Sequence, residues 1–479
     1  MPARRPSPDD AAPLDVVVVG AGPGGYVAAI RCAQLGLRTA CVDRWTDERG
    51  RAAPGGTCLN VGCIPSKALL DSSHHFHNVN HLLPGHGISV EGARIDVTAM
   101  QARKDRVVSS LRRGVAGLLR KNGVELVTGT ARLTGAGAVE VAADPPRVLR
   151  PRHVILAAGS EPTTIAVAPT DGERIVDSAG ALAFTETPRR LGIIGAGVIG
   201  LELGSVWSRL GAETVLLEAL DDFLPAADRD VAMEALRLFR RQGLDIRLGK
   251  RVTGCEAVGD AVAVHFEDAE GTQRIEVDRL VVAVGRRPAT AGLGLEEAGV
   301  ECDDRGFVRV DGHGRTNRDN VWAVGDCAPG PMLAHRAAED AISVAERIAG
   351  ENSRIDHRTV PWVIYTHPEI AWVGRTEAEL DEAGIEWRSG RFPFAASGRA
   401  LAAGDTAGFA KIVCDETTDE ILGVHVFGAN ASEIIAEAVT AMEFRGSAED
   451  LARTMHAHPT LAESLHEAAL AVDERAIHL

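Results

Sequence analysis

Residues Val16–Arg44 read VVVVGAGPGGYVAAIRCAQLGLRTACVDR. The four valines suit a strand buried on both faces. Gly20, Gly22 and Gly25 form a G-x-G-x-x-G turn, a small-residue stretch with helical spacing follows, and a second apolar run closes on Asp43. Strand, glycine turn, helix and strand in that order describe a dinucleotide-binding unit. Its glycines permit the tight turn, close approach to a pyrophosphate and close helix–strand packing, and the helix N-terminus offers N–H donors with the positive end of its dipole. The arrangement returns at Leu191–Leu220, LGIIGAGVIGLELGSVWSRLGAETVLLEAL, with Gly195, Gly197 and Gly200 and with Glu218 closing the next strand. First glycine to closing acid spans 23 positions in both copies, 20 to 43 and 195 to 218. Two nucleotides are therefore expected, with Asp43 and Glu218 accepting hydrogen bonds from ribose hydroxyls rather than standing as solvated acids at strand ends. Asp221 and Asp222 follow Glu218 where a 2′-phosphate site usually carries Arg, so the second unit reads as NAD-binding.

Just past the first unit, Gly55–Lys67 reads GGTCLNVGCIPSK and sets Cys58 and Cys63 five apart. In a regular helix such residues have Cα atoms about 8.7 Å apart, beyond the roughly 4.4–6.8 Å that a disulfide spans. Gly62 between them and Pro65 after them let the backbone depart from that helix. Two buried structural thiols or half a zinc site are the blander readings. Zinc needs two more ligands at matching spacing, and Cys255, Cys302, Cys327 and Cys414 are scattered singly, so a redox pair is favoured.

Composition narrows the setting. Lys plus Arg number 51 against 67 Asp plus Glu, a net charge of −16 that argues against nucleic acid and anionic lipid as partners. The opening residues 1–13, rich in Pro, Asp and Ala, read as a disordered tail, and no run of about 18 apolar residues occurs, so a cytoplasmic protein is expected. In that reducing compartment a persistent cysteine pair is expected to be catalytic. His74, His77 and His81 would share a helical face beside His75 and His86, yet no acid or cysteine completes a site; a solvated helix rim and no metal are expected.

A third segment, TNRDNVWAVGDCA (Thr316–Ala328), is a strand ending in Gly325 and Asp326, similar to the second flavin-contacting segment of flavoproteins with two dinucleotide domains. HVILAAGS (His153–Ser160) and LVVAVGRRP (Leu280–Pro288) read as strands leading out of each unit. The expected class is α/β. Two Rossmann-like domains, FAD-binding over 14–160 with a return over 288–354 and NAD-binding over 161–287, precede a separate C-terminal α+β domain over 355–479. Near the end, MHAHPTLAESLHEAALAV supports two readings: Thr460 and Glu463 form a T-x-x-E capping box, or Glu463 orients His458 as a proton-exchanging base for a thiol.

Together GGTCLNVGCIPSK, GAGVIGLELG, AVGRRP, AVGDCAPGPMLAH and HAHPTLAES fall in the order found in dihydrolipoamide dehydrogenases, which the chain resembles from Val16 to about Asp473; these are flavoprotein disulfide reductases of the class I pyridine nucleotide-disulfide oxidoreductase family. The resemblance implies FAD and NAD as cofactors. It implies oxidation of protein-bound dihydrolipoamide with reduction of NAD⁺, as a shared component of 2-oxoacid dehydrogenase complexes. It also implies a homodimer serving lipoyl domains of their acyltransferases or the glycine cleavage carrier protein. By position, Cys58 resembles the thiol that exchanges with lipoamide, Cys63 the one next to the flavin, and His458 the base with Glu463 as its partner. Lys67 resembles the lysine near flavin N5, paired with Glu202; Ala131, Asp326 and Ala334 match flavin contacts, and Val252 and Gly285 match positions near NAD. His458-Pro459 resembles the family's cis peptide. Asp43 stands where Glu is commoner, Ala289 where Asn is frequent, and residues 47–54 lengthen the approach to the dithiol. Within the same superfamily a glutathione- or mercuric-reductase-like enzyme is the alternative, and a docking subunit of a multienzyme complex is the alternative of another class.

Overall fold

The computed structural model describes residues 14–135 and 137–479; the expected disordered tail, 1–13, lies outside them. The chain divides into two compact units, one of Met1–Pro65, Asp105–Glu161 and Arg286–Ile355 and another of Ser66–Lys104, Pro162–Gly285 and Asp356–Leu479.

In the first unit a parallel sheet runs Val321–Ala323, His153–Leu156, Val16–Val19, Thr39–Asp43, Glu125–Thr128 in spatial order. All four valines are buried: Val16 and Val18 pack on helices, and Val17 and Val19 pack on the antiparallel sheet of Thr130–Leu133, Val139–Ala142 and Arg147–Leu149. The helix Pro23–Gln34 starts with Pro at its first position, where a missing N–H costs nothing. It packs on the helix Ala334–Ile348 through Ala28, Ala29, Cys32, Ala341, Val344 and Ala345. The Arg31 guanidinium donates to Glu346 Oε1 at 2.6 Å across the same pair of helices.

The second unit repeats the pattern: Leu244–Arg247, Glu213–Leu217, Arg190–Ile194, Arg279–Val282, Ile175–Val176, again parallel. An antiparallel meander, Arg251–Val258, Ala261–Asp268 and Gly271–Val277, accompanies it. A further antiparallel sheet is ordered Trp362–Ile364, Glu369–Gly374, Ile421–Gly428, Phe409–Asp415, Trp387–Pro393, with the helices Ala431–Glu443 and Glu463–Val472 packed on it. Lys411 on that sheet is buried, and its ammonium meets Asp228 (3.1 Å), Asp230 (2.8 Å) and Glu377 (2.9 Å), a charge removed from water only because three carboxylates surround it. In each parallel sheet the strand entering the glycine turn has the following strand on one side and a later strand on the other. That is a topological switch point, where open α/β sheets bind ligands at the carboxyl ends of their strands. Among the described residues no helix is long and apolar enough to cross a membrane.

Candidate active site

The dithiol lies where two helices meet. Gly56–Val61 ends at Gly62, and Cys63–His81 begins with the second cysteine, so the two are not on one continuous helix. This break brings the Cα atoms of Cys58 and Cys63 to 4.7 Å, and the two sulfurs are bonded. Gly62 makes the break possible: a Cβ there would stand 2.9 Å from Thr57 O and 3.1 Å from Cys58 Cα, both on backbone that cannot swing aside. Gly62→Ala is expected to destabilise the oxidised protein by about 1–3 kcal/mol, and thiol titration after air oxidation should find both cysteines free. A closed disulfide of unchanged stability would contradict the steric account.

The same loop is seated on the first glycine turn. Gly20 has φ +103°, open to glycine at no cost, and Gly55 N–H donates to Ala21 O at 2.7 Å. A Cβ on Gly56 would reach 2.6 Å from Gly22 Cα, so the dithiol helix starts in direct backbone contact with the first glycine turn. Gly25, counted with the cofactor-binding glycines by its place in the motif, is buried in the first turn of the helix Pro23–Gln34. A Cβ on it would meet Gly20 O at 1.8 Å and Ala157 Cβ at 3.3 Å. Gly25 therefore faces the strand side of the turn, where it lets the helix close on the sheet. The buried Asn60 amide donates to Ala53 O (3.1 Å) and Gly56 O (2.8 Å), and Arg112 Nε donates to its Oδ1. Asn60 and Arg112 were not singled out by the sequence reading. An Asn inside a helical stretch, where its propensity is poor, is the signal that points to such a side chain-to-backbone clamp.

One turn beyond Cys63 on its helix stands Lys67. Its ammonium donates to both oxygens of Glu202, at 2.9 and 2.8 Å, and lies 4.5 Å from the Tyr365 ring centroid. Glu202 is 4% exposed and also accepts from Ser66 Oγ (2.7 Å) and Tyr365 N–H (3.1 Å). Ser66 and Tyr365 are the partners that sequence missed; neither sits at a spacing that announces the contact, since Tyr365 arrives from a distant loop. Burial pushes the Tyr365 phenol up, helped by Glu369 and Glu202.

At the C-terminus, His458 Nδ1 meets Glu463 Oε1 at 2.8 Å, and Glu463 Oε2 accepts from Thr460 N–H at 2.7 Å. Burial raises the Glu463 carboxyl, but the Thr460 amide and His458 outweigh it and hold the group below its ordinary range. The T-x-x-E box is not completed. Thr460 Oγ1 donates backward to Ala457 O, and the helix Glu463–Val472 begins after Ala462 without a side-chain cap. Glu463 thus keeps the Thr460 amide on Oε2 and orients His458 through Oε1; the His458 side chain is 78% exposed. The His458-Pro459 peptide is cis.

Residues 14–341 match the pyridine nucleotide-disulphide oxidoreductase family, and 360–469 match its dimerisation domain. The chain belongs to that family. It is 51% identical over 97% of its length, and 99% of the relative's, to a dihydrolipoyl dehydrogenase of Cupriavidus necator. A mitochondrial dihydrolipoyl dehydrogenase of Pisum sativum is 44% identical over 97% of this chain and 92% of its own length. Among solved structures, LpdA from Mycobacterium tuberculosis superposes with a TM-score of 0.87 at 27% identity, covering 95% of this chain and 99% of that one.

As a member of this flavoprotein disulfide oxidoreductase family the chain uses FAD and NAD, and its residues fit both. For FAD, the helix Pro23–Gln34 begins at Gly22 with no side-chain cap, leaving its first amides to a phosphate. Asp43 Oδ2 is buried without a protein partner, an acceptor suited to a ribose hydroxyl. Asp326 accepts from Ser160 Oγ at 2.5 Å, itself held by Arg286 Nε at 2.7 Å, while Ala131 is buried in the strand Thr130–Leu133 and Ala334 opens its helix uncapped. For NAD, Gly197 has open space where a Cβ would project and precedes the uncapped helix Val198–Arg209. Behind it a Cβ on Gly195 or Gly200 would strike backbone carbonyls at 2.6 and 2.1 Å, so Gly200 repeats the packing role of Gly25. Glu218 accepts from Ala196 N–H (2.8 Å) and Leu220 N–H (3.0 Å), and each oxygen keeps a lone pair for a ribose hydroxyl. Val252 is half-buried at the start of the meander, and Gly285 has φ +114° and accepts from Thr163 N–H.

Burial raises the Asp43 carboxyl to about 6, with the Trp45, Arg44 and Ala21 amides offsetting part of the effect. With its folded value above its unfolded one, Asp43 supports the FAD-free fold at low pH, and that support is lost as pH rises from about 4 to about 6. Asp43→Asn is expected to remove this loss, about 3 kcal/mol at most, making the FAD-stripped protein more stable at neutral pH while weakening FAD retention. Thermal melts of the stripped proteins across that window measure it; parallel wild-type and mutant curves would contradict it.

Proposed function

We propose that the chain is a dihydrolipoyl dehydrogenase that oxidises dihydrolipoyl groups on carrier domains and reduces NAD⁺. The observation that carries the reading is the Cys58–Cys63 bond in a loop seated on the first glycine turn. The segments 14–160 and 288–354 serve FAD, 161–287 serves NAD, and 355–479 joins two chains in a cytoplasmic homodimer. The partners are lipoyl domains of 2-oxoacid dehydrogenase acyltransferases or of the glycine cleavage carrier.

The local structure suggests the direction of thiol exchange. Cys63 opens a helix of 19 residues, and the dipole there favours a thiolate; Cys58 lies in a helix of only six residues, with a weaker dipole. Cys63 is therefore the better leaving group. A substrate thiolate attacks the Cys58 sulfur, the bond to Cys63 breaks, and Cys63 departs as thiolate. The second substrate thiol, deprotonated, attacks the substrate sulfur of the mixed disulfide, closing the lipoyl ring and freeing Cys58. Two electrons then reside on the cysteine pair. His458 takes the first substrate proton at Nε2, because Glu463 engages Nδ1, and releases it to solvent before taking the second; in the proposed dimer it serves the dithiol of the partner protomer. Lys67, held by Glu202, keeps a fixed cation one turn beyond the Cys63 sulfur. The chemistry that FAD supplies when bound is the passage of that electron pair to NAD⁺.

The purified holoenzyme tests the assignment. Turnover of dihydrolipoamide with NAD⁺ is expected to exceed turnover of glutathione disulfide with NADPH by at least about 10²-fold. The reverse order would replace the proposal with a glutathione-reductase-like function, and no turnover of either would favour a docking subunit.

A further inference from the structure

The helix contact that pairs Lys67 with Glu202 continues for two turns with a different charge pattern. Seven residues on, about 10.5 Å along each helix, stand His74 and Arg209. The Arg209 guanidinium has a buried Nη2 without a protein partner. Burial pushes Arg209 down to about 10, and among the described residues no carboxylate offsets the effect. His74 has the complementary defect. Asn78 Nδ2 donates to its Nε2 at 2.9 Å, so the neutral ring carries its proton on Nδ1, which is also buried without a partner. The His367 ring lies 4.1 Å from that of His74, and its Nε2 meets Asp405 Oδ2 at 3.0 Å. His77, stacked on His81 at 4.0 Å, borders the same cluster, and Arg209 is close enough to depress both His74 and His77.

We infer that Arg209, His74 and His367 form a binding site for a small tetrahedral oxyanion of the phosphate class. Two buried donors, one permanently charged, lack an acceptor; a tetrahedral oxyanion accepts from several donors at once and neutralises a guanidinium through charge-assisted hydrogen bonds. Asp405 faces His367 directly, and the half-buried Glu369 carboxyl also feels the His367 charge. Asp405 competes with the anion and limits its affinity. The site uses neither the dithiol nor either glycine turn; His74 and Arg209 lie on the two helices that hold Lys67 and Glu202, and His367 comes from the loop between Trp362–Ile364 and Glu369–Gly374.

Calorimetric titration of the holoenzyme with inorganic sulfate, with chloride at equal ionic strength as control, tests the inference. Saturable binding of one sulfate per chain is expected, weakened about tenfold or more in Arg209→Gln and tightened several-fold in Asp405→Asn, with dihydrolipoamide turnover retained in both. Asp405→Asn leaves every proposed donor in place, so it keeps the test decisive if Arg209→Gln does not fold. Binding matched by chloride, binding unchanged in Arg209→Gln or not tightened in Asp405→Asn, or a crystal structure in sulfate showing only water on Arg209 Nη2 would overturn it.

Discussion

Cys58→Ser and Cys63→Ser are each expected to lower dihydrolipoamide turnover by at least about 10³-fold while FAD stays bound, because neither single thiol can carry a two-electron exchange. The two variants should nonetheless differ. In Cys58→Ser the remaining thiol is Cys63, at the start of the helix Cys63–His81, and its alkylation should persist to lower pH than an ordinary thiol with a pKa of about 8.5. In Cys63→Ser the remaining thiol is Cys58, in a short helix of six residues that gives it no comparable dipole, and its alkylation should follow the ordinary curve. Matching alkylation profiles would remove the structural basis for assigning Cys63 as the leaving thiol, and retained turnover in either variant would end the disulfide mechanism.

His458→Gln is expected to cost about 10²–10⁴-fold in turnover with dihydrolipoamide. The pH–rate profile should change shape, since Gln cannot exchange a proton. Stability should scarcely change, within about 0.5 kcal/mol, because the side chain is exposed and the helix Glu463–Val472 takes no cap from this segment. A melting temperature that falls with the rate left intact would instead return His458 to a structural role. Glu463→Gln should fall between wild type and His458→Gln, and because the Thr460 amide still finds an acceptor, the effect reports the orientation of the imidazole.

Much of the site is legible from local rules. The strands Val16–Val19 and Arg190–Ile194 and the helices that follow them form where the apolar runs and glycine turns place them, because a buried parallel strand needs only a short apolar run and the turn needs only glycine. The cysteine pair shows the boundary of such reasoning. Its spacing excludes one continuous helix, and Gly62 marks where the backbone breaks, yet the contact of Gly56 with Gly22 joins segments separated by a strand, a helix and a loop. The capping-box pattern at Thr460 fits the spacing but not the outcome, since Thr460 Oγ1 found Ala457 O first.

Residue types and their separations thus determined by themselves the two nucleotide folds, the acids that close them and the dithiol, because each depends on hydrogen bonds and sterics within about 25 residues of chain. Tertiary structure alone decided that Ser66 and Tyr365 join Lys67 on Glu202, that Asn60 and Arg112 clamp the dithiol loop, and that Arg209 buries its Nη2 near His74. Those contacts join residues remote in the chain, and what selects them is the burial of charge: a carboxylate or guanidinium taken from water needs partners, and only packing determines which side chains are within reach.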